Sequence, residues 1–146
     1  MLGQIARQYE SDCAEKDKNV IIICGPTASG KTELSLELAA KLNGEIVSCD
    51  SMQIYRYMDI GTAKATPEEQ RAVRHHMIDI IDPWESYSAY RYKADAELVI
   101  RDIISRGKVP IITGGTGLYV NTLVDNRKFA EDIYENISDC CPAHEK

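Results

Sequence analysis

The stretch that decides the fold lies at residues 25–32 and reads Gly25-Pro26-Thr27-Ala28-Ser29-Gly30-Lys31-Thr32. It matches G-x-x-x-x-G-K-[ST] at every defined position, and it stands between an apolar run at residues 20–24 and a predicted helix at residues 31–42. In such a loop the glycines let backbone N–H groups surround an anion, the lysine reaches terminal phosphate oxygens, and the threonine hydroxyl ligates Mg²⁺. The motif therefore predicts a phosphate-binding loop. The alternative is a turn of small residues that only opens a helix.

Strands and helices alternate along the rest of the chain. A short continuous apolar run at residues 20–24 is typical of a buried parallel strand. Three further strands are predicted at residues 45–49, 76–81 and 109–113. Helical spacing and capping residues predict helices at residues 31–42, 67–75, 88–106 and 117–124. Gly44 and Gly107 are placed to end the first and third of these helices. The alternation predicts an α/β fold, a parallel sheet with helices on both faces.

The length of 146 residues suits one domain with short flanking segments. We predict an N-terminal amphipathic helix and linker at residues 1–18, a core at residues 19–125, and a C-terminal helix and tail at residues 126–146. Both terminal helices are indicated by apolar residues at helical spacing.

Composition and charge exclude several classes of protein. With 44% hydrophobic and 27% charged residues, the chain is not typical of disordered or fibrous proteins. The longest apolar run is far too short to cross a bilayer, and the first residues show no secretion signal, so we expect no membrane partner. The net charge of -6 argues against non-specific nucleic-acid binding by bulk charge. Five cysteines without C-x-x-C spacing favour a reducing, cytoplasmic setting.

Polar features follow two of the predicted strands. Asp50 comes after the strand at residues 45–49, and ligands of parallel sheets bind outside the carboxyl ends of the strands. Its carboxylate could take a proton from an attacking hydroxyl or amine, or it could cap the following loop. A second glycine-rich turn, residues 114–119, could bring backbone amides and the Thr116 hydroxyl toward a diphosphate, or could only pack helix against strand. The neighbouring His75 and His76 favour structural hydrogen bonds, because adjacent strand residues point to opposite faces.

Five blocks of sequence resemble the tRNA dimethylallyltransferases, also called isopentenyl-diphosphate:tRNA transferases. The blocks are residues 25–32, 50–55, 58–64, 75–79 and 114–119, in the family's order and spacing. The resemblance covers roughly residues 19–125. It implies a P-loop NTPase-like fold and transfer of a dimethylallyl group from dimethylallyl diphosphate to N6 of an adenine in the tRNA anticodon loop.

The resemblance also implies roles for individual residues. Asp50 would be the general base for the adenine amino group, and Thr116 would contact the diphosphate near its scissile oxygen. The residues implied to hold the diphosphate are Gly25, Thr27, Ala28, Ser29, Gly30, Lys31, Thr32 and Gly115. Mg²⁺ would be bound together with the diphosphate, with Thr32 as its ligand. The residues implied to meet the tRNA anticodon stem-loop are Ser51, Gln53, Gly61, Thr62 and Lys64.

The family's proteins are longer than this chain, so the resemblance leaves two interpretations open. The chain is either a short form that keeps the diphosphate site and transfers poorly, or it completes its missing surfaces with a partner or by self-association. Two other functions compete with the transferase. A small-molecule kinase would also place an acceptor-facing carboxylate after the second strand, and a non-catalytic module would retain only nucleotide or diphosphate binding.

Overall fold

The structure is a computed structural model that describes residues 20–124. Within these residues, four strands and four helices follow one another. The strands are β1 (Ile21–Cys24), β2 (Gly44–Ser48), β3 (His75–His76) and β4 (Val109–Gly114). The helices are α1 (Lys31–Leu42), α2 (Pro67–Ala72), α3 (Ala89–Ser105) and α4 (Gly117–Val124). The terminal helices predicted within residues 1–18 and 126–146 lie outside the described residues.

The four strands form one sheet in the order β1-β4-β2-β3, and every neighbouring pair is parallel. Ile111 of β4 stands between Ile21 of β1 and Ile46 of β2 in the ladder. Since all strands run in the same direction, their carboxyl ends meet at one edge of the sheet. The loops that follow β1, β2 and β4 therefore open onto the same edge, which is where the predicted site residues lie.

Helices cover both faces of the sheet, as the α/β prediction requires. Ile46 and Ile111 pack with Leu38 of α1 on one face. On the other face, Val47 and Ile112 belong to a second buried cluster, whose helical members from α3 and α4 are Tyr92, Ala96, Ile103 and Tyr119. Adjacent strand residues thus face opposite layers, and this explains why the strands read as continuous apolar runs rather than alternating ones.

The third strand is shorter than the prediction of residues 76–81. Only His75 and His76 pair with β2, because Met77 and Asp79 adopt left-handed backbone conformations with φ of 61° and 55°. A strand cannot continue through such residues, since extended backbone needs negative φ. The chain instead turns and returns to a single bridge between Tyr55 and Ile81.

The end of α1 also differs from the prediction. Asn43, with φ 51°, takes the left-handed conformation that ends the helix, and Gly44 is the first residue of β2. A side chain at position 44 would place its Cβ 2.8 Å from the backbone oxygen of Val109. Glycine is needed there for close approach of β4, not for helix termination. Gly107, with φ 72°, follows α3 as predicted.

Within residues 20–124, no helix has both the length and the apolar character that crossing a membrane would require.

Candidate active site

The phosphate loop joins β1 to α1 and leaves the start of α1 open. Gly30, at the N-terminal boundary of α1, has φ 83°, and no side chain caps the helix. By contrast, Thr66 and Ser88 cap α2 and α3 with their hydroxyl groups. The N–H groups of the first turn of a helix have no intrahelical partner, so those of α1 remain available to an anion. The Lys31 ammonium donates to the backbone oxygen of Pro26 within the same loop.

A cavity of about 850 Å³ lies beside this loop. Its walls come from the phosphate loop, from the ends of β2 and β4, and from the segment that includes Gly61 and Thr62. The predicted site residues that line it are Thr27, Ala28, Ser29, Gly30, Lys31, Thr32, Asp50, Gln53, Gly61, Thr62 and Gly115. Four predicted residues are not part of the lining: Gly25, Ser51, Lys64 and Thr116. The folded chain therefore brings most, but not all, of the predicted residues together.

Asp50 stands where β2 ends. The preceding residue, Cys49, donates its backbone N–H to the oxygen of Thr113 at 2.8 Å, so the end of β2 is held against β4. One carboxylate oxygen, Oδ1, accepts the backbone N–H of Met52 at 2.8 Å, and this caps the turn that follows. The other oxygen has no hydrogen-bond partner among residues 20–124. Asp50 thus caps its loop and also offers a free proton acceptor beside the cavity.

The second glycine-rich turn packs closely against the end of β2. A Cβ at Gly114 would lie 2.2 Å from the backbone oxygen of Cys49, so only glycine fits. Thr116 donates its N–H to that same oxygen at 3.3 Å, and its hydroxyl accepts the N–H of Ser51 at 3.0 Å. Gly115 reaches the cavity lining, whereas Thr116 holds the peptide next to Asp50. The turn therefore packs against the end of β2 at Gly114 and also contributes Gly115 to the cavity lining.

A third element is the 58–64 loop, by which we mean residues Met58 to Lys64. Gln53 donates its side-chain amide to the oxygens of Thr62 and Ala63, at 3.0 and 3.1 Å. Its own oxygen accepts the hydroxyl of Ser48 at 2.9 Å. The Gln53 side chain is therefore fully engaged in fastening this loop to the end of β2, although the resemblance implied that it meets RNA.

Lys64 ends the 58–64 loop with its side chain buried, 6% exposed. Its ammonium donates to Asp79 at 2.6 Å, to Asp59 at 3.0 Å and to the backbone oxygen of Tyr55 at 2.6 Å. Burial lowers the pKa of Lys64, but hydrogen bonds to the two carboxylates outweigh that effect and raise it above the ordinary value. The ammonium stays charged, and it points into an ion-pair cluster instead of the cavity.

His75 and His76 make structural hydrogen bonds, as the sequence predicted. The ring of His76 bonds the carboxylate of Glu45 at 2.7 Å, and Nδ1 of His75 donates to the backbone oxygen of Val73 at 2.7 Å. Burial lowers the pKa of His75, so its ring is neutral near pH 7. His75 also lines the cavity, a position that no pattern in the sequence predicts.

The sequence missed the buried groups beneath and beside Asp50. Tyr92, in the core, donates its hydroxyl to the backbone oxygen of Ser48 at 3.0 Å, and burial raises its pKa. Burial also raises the pKa of the Cys49 thiol to about 11, so Cys49 is not a nucleophile at neutral pH. Helical spacing placed Tyr92 on a buried face, but only the fold shows that it supports the strand end that carries Asp50.

Thr32 fits the expected role of a Mg²⁺ ligand. Its hydroxyl is exposed in the first turn of α1, lines the cavity and has no hydrogen-bond partner among residues 20–124. Magnesium prefers oxygen ligands and usually keeps several waters or phosphate oxygens. The described part of the chain has no cluster of three or more His, Cys, Asp or Glu side chains able to hold a metal. A magnesium ion here would therefore depend on the bound phosphate as well as on Thr32.

Two family models match the chain. One, described as IPP transferase, matches residues 53–144, and the other, described as isopentenyl transferase, matches residues 18–83. The first match continues past residue 125, where we expected the resemblance to end. The division of the chain into three segments stays a prediction.

Curated relatives and solved structures give the same picture. The chain is 58% identical over 113 residues to tRNA dimethylallyltransferases of Staphylococcus aureus strains JH9 and Newman, which covers 77% of this chain and 36% of each relative. A tRNA isopentenylpyrophosphate transferase from Bacillus halodurans is 46% identical with a TM-score of 0.73, covering 85% of this chain and 43% of that one.

A eukaryotic dimethylallyltransferase acting on tRNA is also similar, with 41% identity and a TM-score of 0.74 over 77% of this chain and 28% of that chain. These neighbours confirm the predicted P-loop NTPase-like fold. The chain spans well under half the length of the relatives that it matches.

Proposed function

The chain belongs to the IPP transferase family, and from this premise we propose that it takes part in prenyl transfer to tRNA. The donor would be dimethylallyl diphosphate, held by the phosphate loop. The acceptor would be N6 of an adenine in the anticodon loop. The single observation that carries this proposal is the cavity, because the phosphate loop, Asp50 and Gly115 line it together.

The phosphate side of the cavity suits a departing diphosphate. As the bond between the allylic carbon and the diphosphate oxygen breaks, negative charge builds up on the leaving group. The uncapped N–H groups of α1 and the Lys31 ammonium, once it leaves Pro26, offset that charge without reorganisation of the fold. Mg²⁺ at Thr32 would neutralise further charge when bound.

The acceptor side needs a proton acceptor. The adenine nitrogen forms a bond to the allylic carbon, and the proton that it loses passes to the free oxygen of Asp50. A positioned general base of this kind contributes about 10²–10⁴-fold to a rate. The target adenine must also leave its stack, at a cost of about a few kcal/mol. Tyr57 is exposed and available for stacking, whereas Tyr55 packs against the core.

The net charge bears on how the chain binds RNA. Because the chain carries a net charge of -6, we propose that a partner or a second copy contributes to the RNA-binding surface. A cytoplasmic setting belongs to the same proposal. It is supported by the thiols of Cys24 and Cys49, both of which are free.

The test incubates the full chain with Mg²⁺, dimethylallyl diphosphate and an anticodon stem-loop, and measures prenylated adenosine by mass spectrometry. We expect product from the wild-type chain and a rate about 10²–10⁴-fold lower for Asp50→Asn. Asparagine keeps an oxygen for the Met52 N–H, so affinity for dimethylallyl diphosphate, measured by calorimetry, is expected to stay unchanged. Glu37→Gln, on the exposed face of α1, is the matched control and should behave as wild type.

The same measurements separate the competing functions. Diphosphate binding without any product would support a binding module in place of an enzyme. ATP binding with phosphoryl transfer to a small acceptor would support a kinase. Equal activity of wild type and Asp50→Asn would contradict the role of Asp50 as general base.

A further inference from the structure

Lys64 sits in a cluster that leaves it no free hydrogen-bond donor. An ammonium group has three N–H bonds. In this structure the three acceptors within reach are Asp59, Asp79 and the backbone oxygen of Tyr55. We call this cluster the clasp. With one positive and two negative charges it carries a net charge of -1, so the Lys64 ammonium offers no uncompensated positive charge to an RNA phosphate.

The clasp joins three separate stretches of chain. Tyr55 follows β2, Asp59 and Lys64 lie near the two ends of the 58–64 loop, and Asp79 lies in the turn after β3. The turn residue Asp79 has φ 55°, and Arg56 donates its Nε to the backbone oxygen of the same residue at 3.0 Å. The clasp therefore ties the 58–64 loop to a turn whose own backbone is held in an unfavourable conformation.

The middle of the loop forms a wall of the cavity. Gly61 and Ala63 adopt positive φ of 74° and 48°, and both line the cavity together with Thr62. A non-glycine residue in that conformation costs free energy, so contacts on either side must maintain it. Gln53 holds the middle of the loop, and Lys64 holds its end.

We infer that Lys64 is a positioning residue, which fixes the cavity wall at Gly61–Ala63 through the clasp and makes no contact with RNA phosphate. This inference rests on the proposed function for its effect on catalysis, and it reverses the RNA-contacting role that the family resemblance implied. The raised pKa of Lys64 supports it, since the ammonium stays charged over the working range of pH.

Salt dependence distinguishes the two roles of Lys64. A plot of log K for RNA binding against log salt concentration has a negative slope, and loss of one phosphate contact makes that slope shallower by about 0.7–0.9. We expect Lys64→Met to keep the wild-type slope for the anticodon stem-loop while its kcat falls by about tenfold or more. Asp79→Asn should show the same defect, because it removes a charged partner from the same clasp. Lys64→Arg should also fail to restore kcat, since a planar guanidinium does not replace a compact ammonium in a buried site.

A second measurement needs neither RNA nor activity. Hydrogen–deuterium exchange on the full chain should show faster exchange at residues 58–64, by about tenfold or more, in Lys64→Met and Asp79→Asn. The control is Arg71→Gln, which removes an exposed cation whose ion pair with Glu68 lies on α2, and it should leave the loop unchanged.

The outcomes separate this inference from the proposed function. If the wild-type chain neither binds RNA nor makes product, the proposed function fails, and loop exchange alone decides whether the clasp holds the loop. A slope reduced by about 0.7–0.9 in Lys64→Met, with wild-type exchange in residues 58–64, would overturn the positioning role. If Asp79→Asn keeps the wild-type kcat while Lys64→Met has a reduced kcat, the positioning role of Lys64 is overturned as well.

Discussion

Replacing Glu45 by glutamine is expected to destabilise the fold strongly, because its carboxylate is the buried centre of an ion network. Glu45 lies in β2 with its side chain 2% exposed. Arg106 donates to both carboxylate oxygens, at 2.6 and 2.8 Å, Lys108 lies at 2.9 Å, and the ring of His76 bonds one oxygen at 2.7 Å. The network ties β2 to β3 and to the segment between α3 and β4, at the end of β2 away from the cavity.

The expected loss of stability follows from the charged groups that remain after the substitution. Removing one member of a buried ion pair costs about 3–5 kcal/mol, mainly because the remaining charges lose their partner. In the Glu45→Gln variant the two cations remain about one-third exposed and can be partly hydrated. We therefore expect the lower end of the range, about 3 kcal/mol at pH 7. For a chain of this size that loss lowers Tm by roughly 10 °C.

The pH dependence has a definite sign. Hydrogen bonds from Arg106 hold the pKa of Glu45 well below its ordinary value of 4.5; burial opposes them, and His76 and Lys108 add to the lowering. The folded state therefore binds its proton at lower pH than the unfolded state does. The stabilisation is complete above pH 4.5 and declines as pH falls below that value, by about 1.4 kcal/mol per pH unit for one carboxylate.

Urea denaturation of wild type and Glu45→Gln between pH 3 and pH 7 measures both effects. The matched control is Asp102→Asn, which removes another carboxylate bound to Arg106, but one that is 59% exposed and so worth less than about 1 kcal/mol. A wild-type free energy of unfolding for Glu45→Gln at pH 7 would refute the reasoning. So would a difference from wild type that stays constant down to pH 3.

Two further substitutions test the support of the site and of the sheet. Tyr92→Phe leaves the buried backbone oxygen of Ser48 without its donor and should lower the free energy of unfolding, measured by urea denaturation, by about 1–3 kcal/mol. An unchanged free energy of unfolding would mean that this hydrogen bond contributes nothing to stability. Gly44→Ala should cost about 1–3 kcal/mol, because its Cβ would stand 2.8 Å from the backbone oxygen of Val109. The comparison is Gly107→Ala, where no atom of residues 20–124 lies within 4 Å of the added Cβ and only the φ of 72° opposes alanine. A cost at position 44 no greater than about 1 kcal/mol would exclude crowding as its cause.

Much of the fold could be predicted from local patterns. The helix Gly117–Val124 matches its predicted bounds, and Lys31–Leu42 does so as well. The strand at residues 76–81 was wrong beyond His76, because its apolar side chains serve a turn with positive φ at Met77 and Asp79. An apolar run shows that a segment is buried, but it does not show which backbone conformation buries it.

For the site, the sequence predicted which residues lie near one another better than it predicted what each residue does. Asp50 and the phosphate loop do share a cavity, since carboxyl ends of parallel strands meet at one edge. Thr116 and Lys64 were predicted to contact substrates, yet their polar atoms bond Ser51 and two carboxylates in this structure. The contact of Thr116 with the diphosphate stays a prediction of the family resemblance, whereas for Lys64 we infer a positioning role in place of RNA contact.

The sequence by itself determined the phosphate loop and the α/β alternation, because both arise from residues that are neighbours along the chain and obey short periods. Only the tertiary structure decided which polar groups face the cavity and which are consumed by other residues. Lys64 meets Asp79 fifteen residues away, and Ser51 meets Thr116 across sixty-five. Burial and charge compensation depend on such distant partners, and the order of residues along the chain does not reveal them.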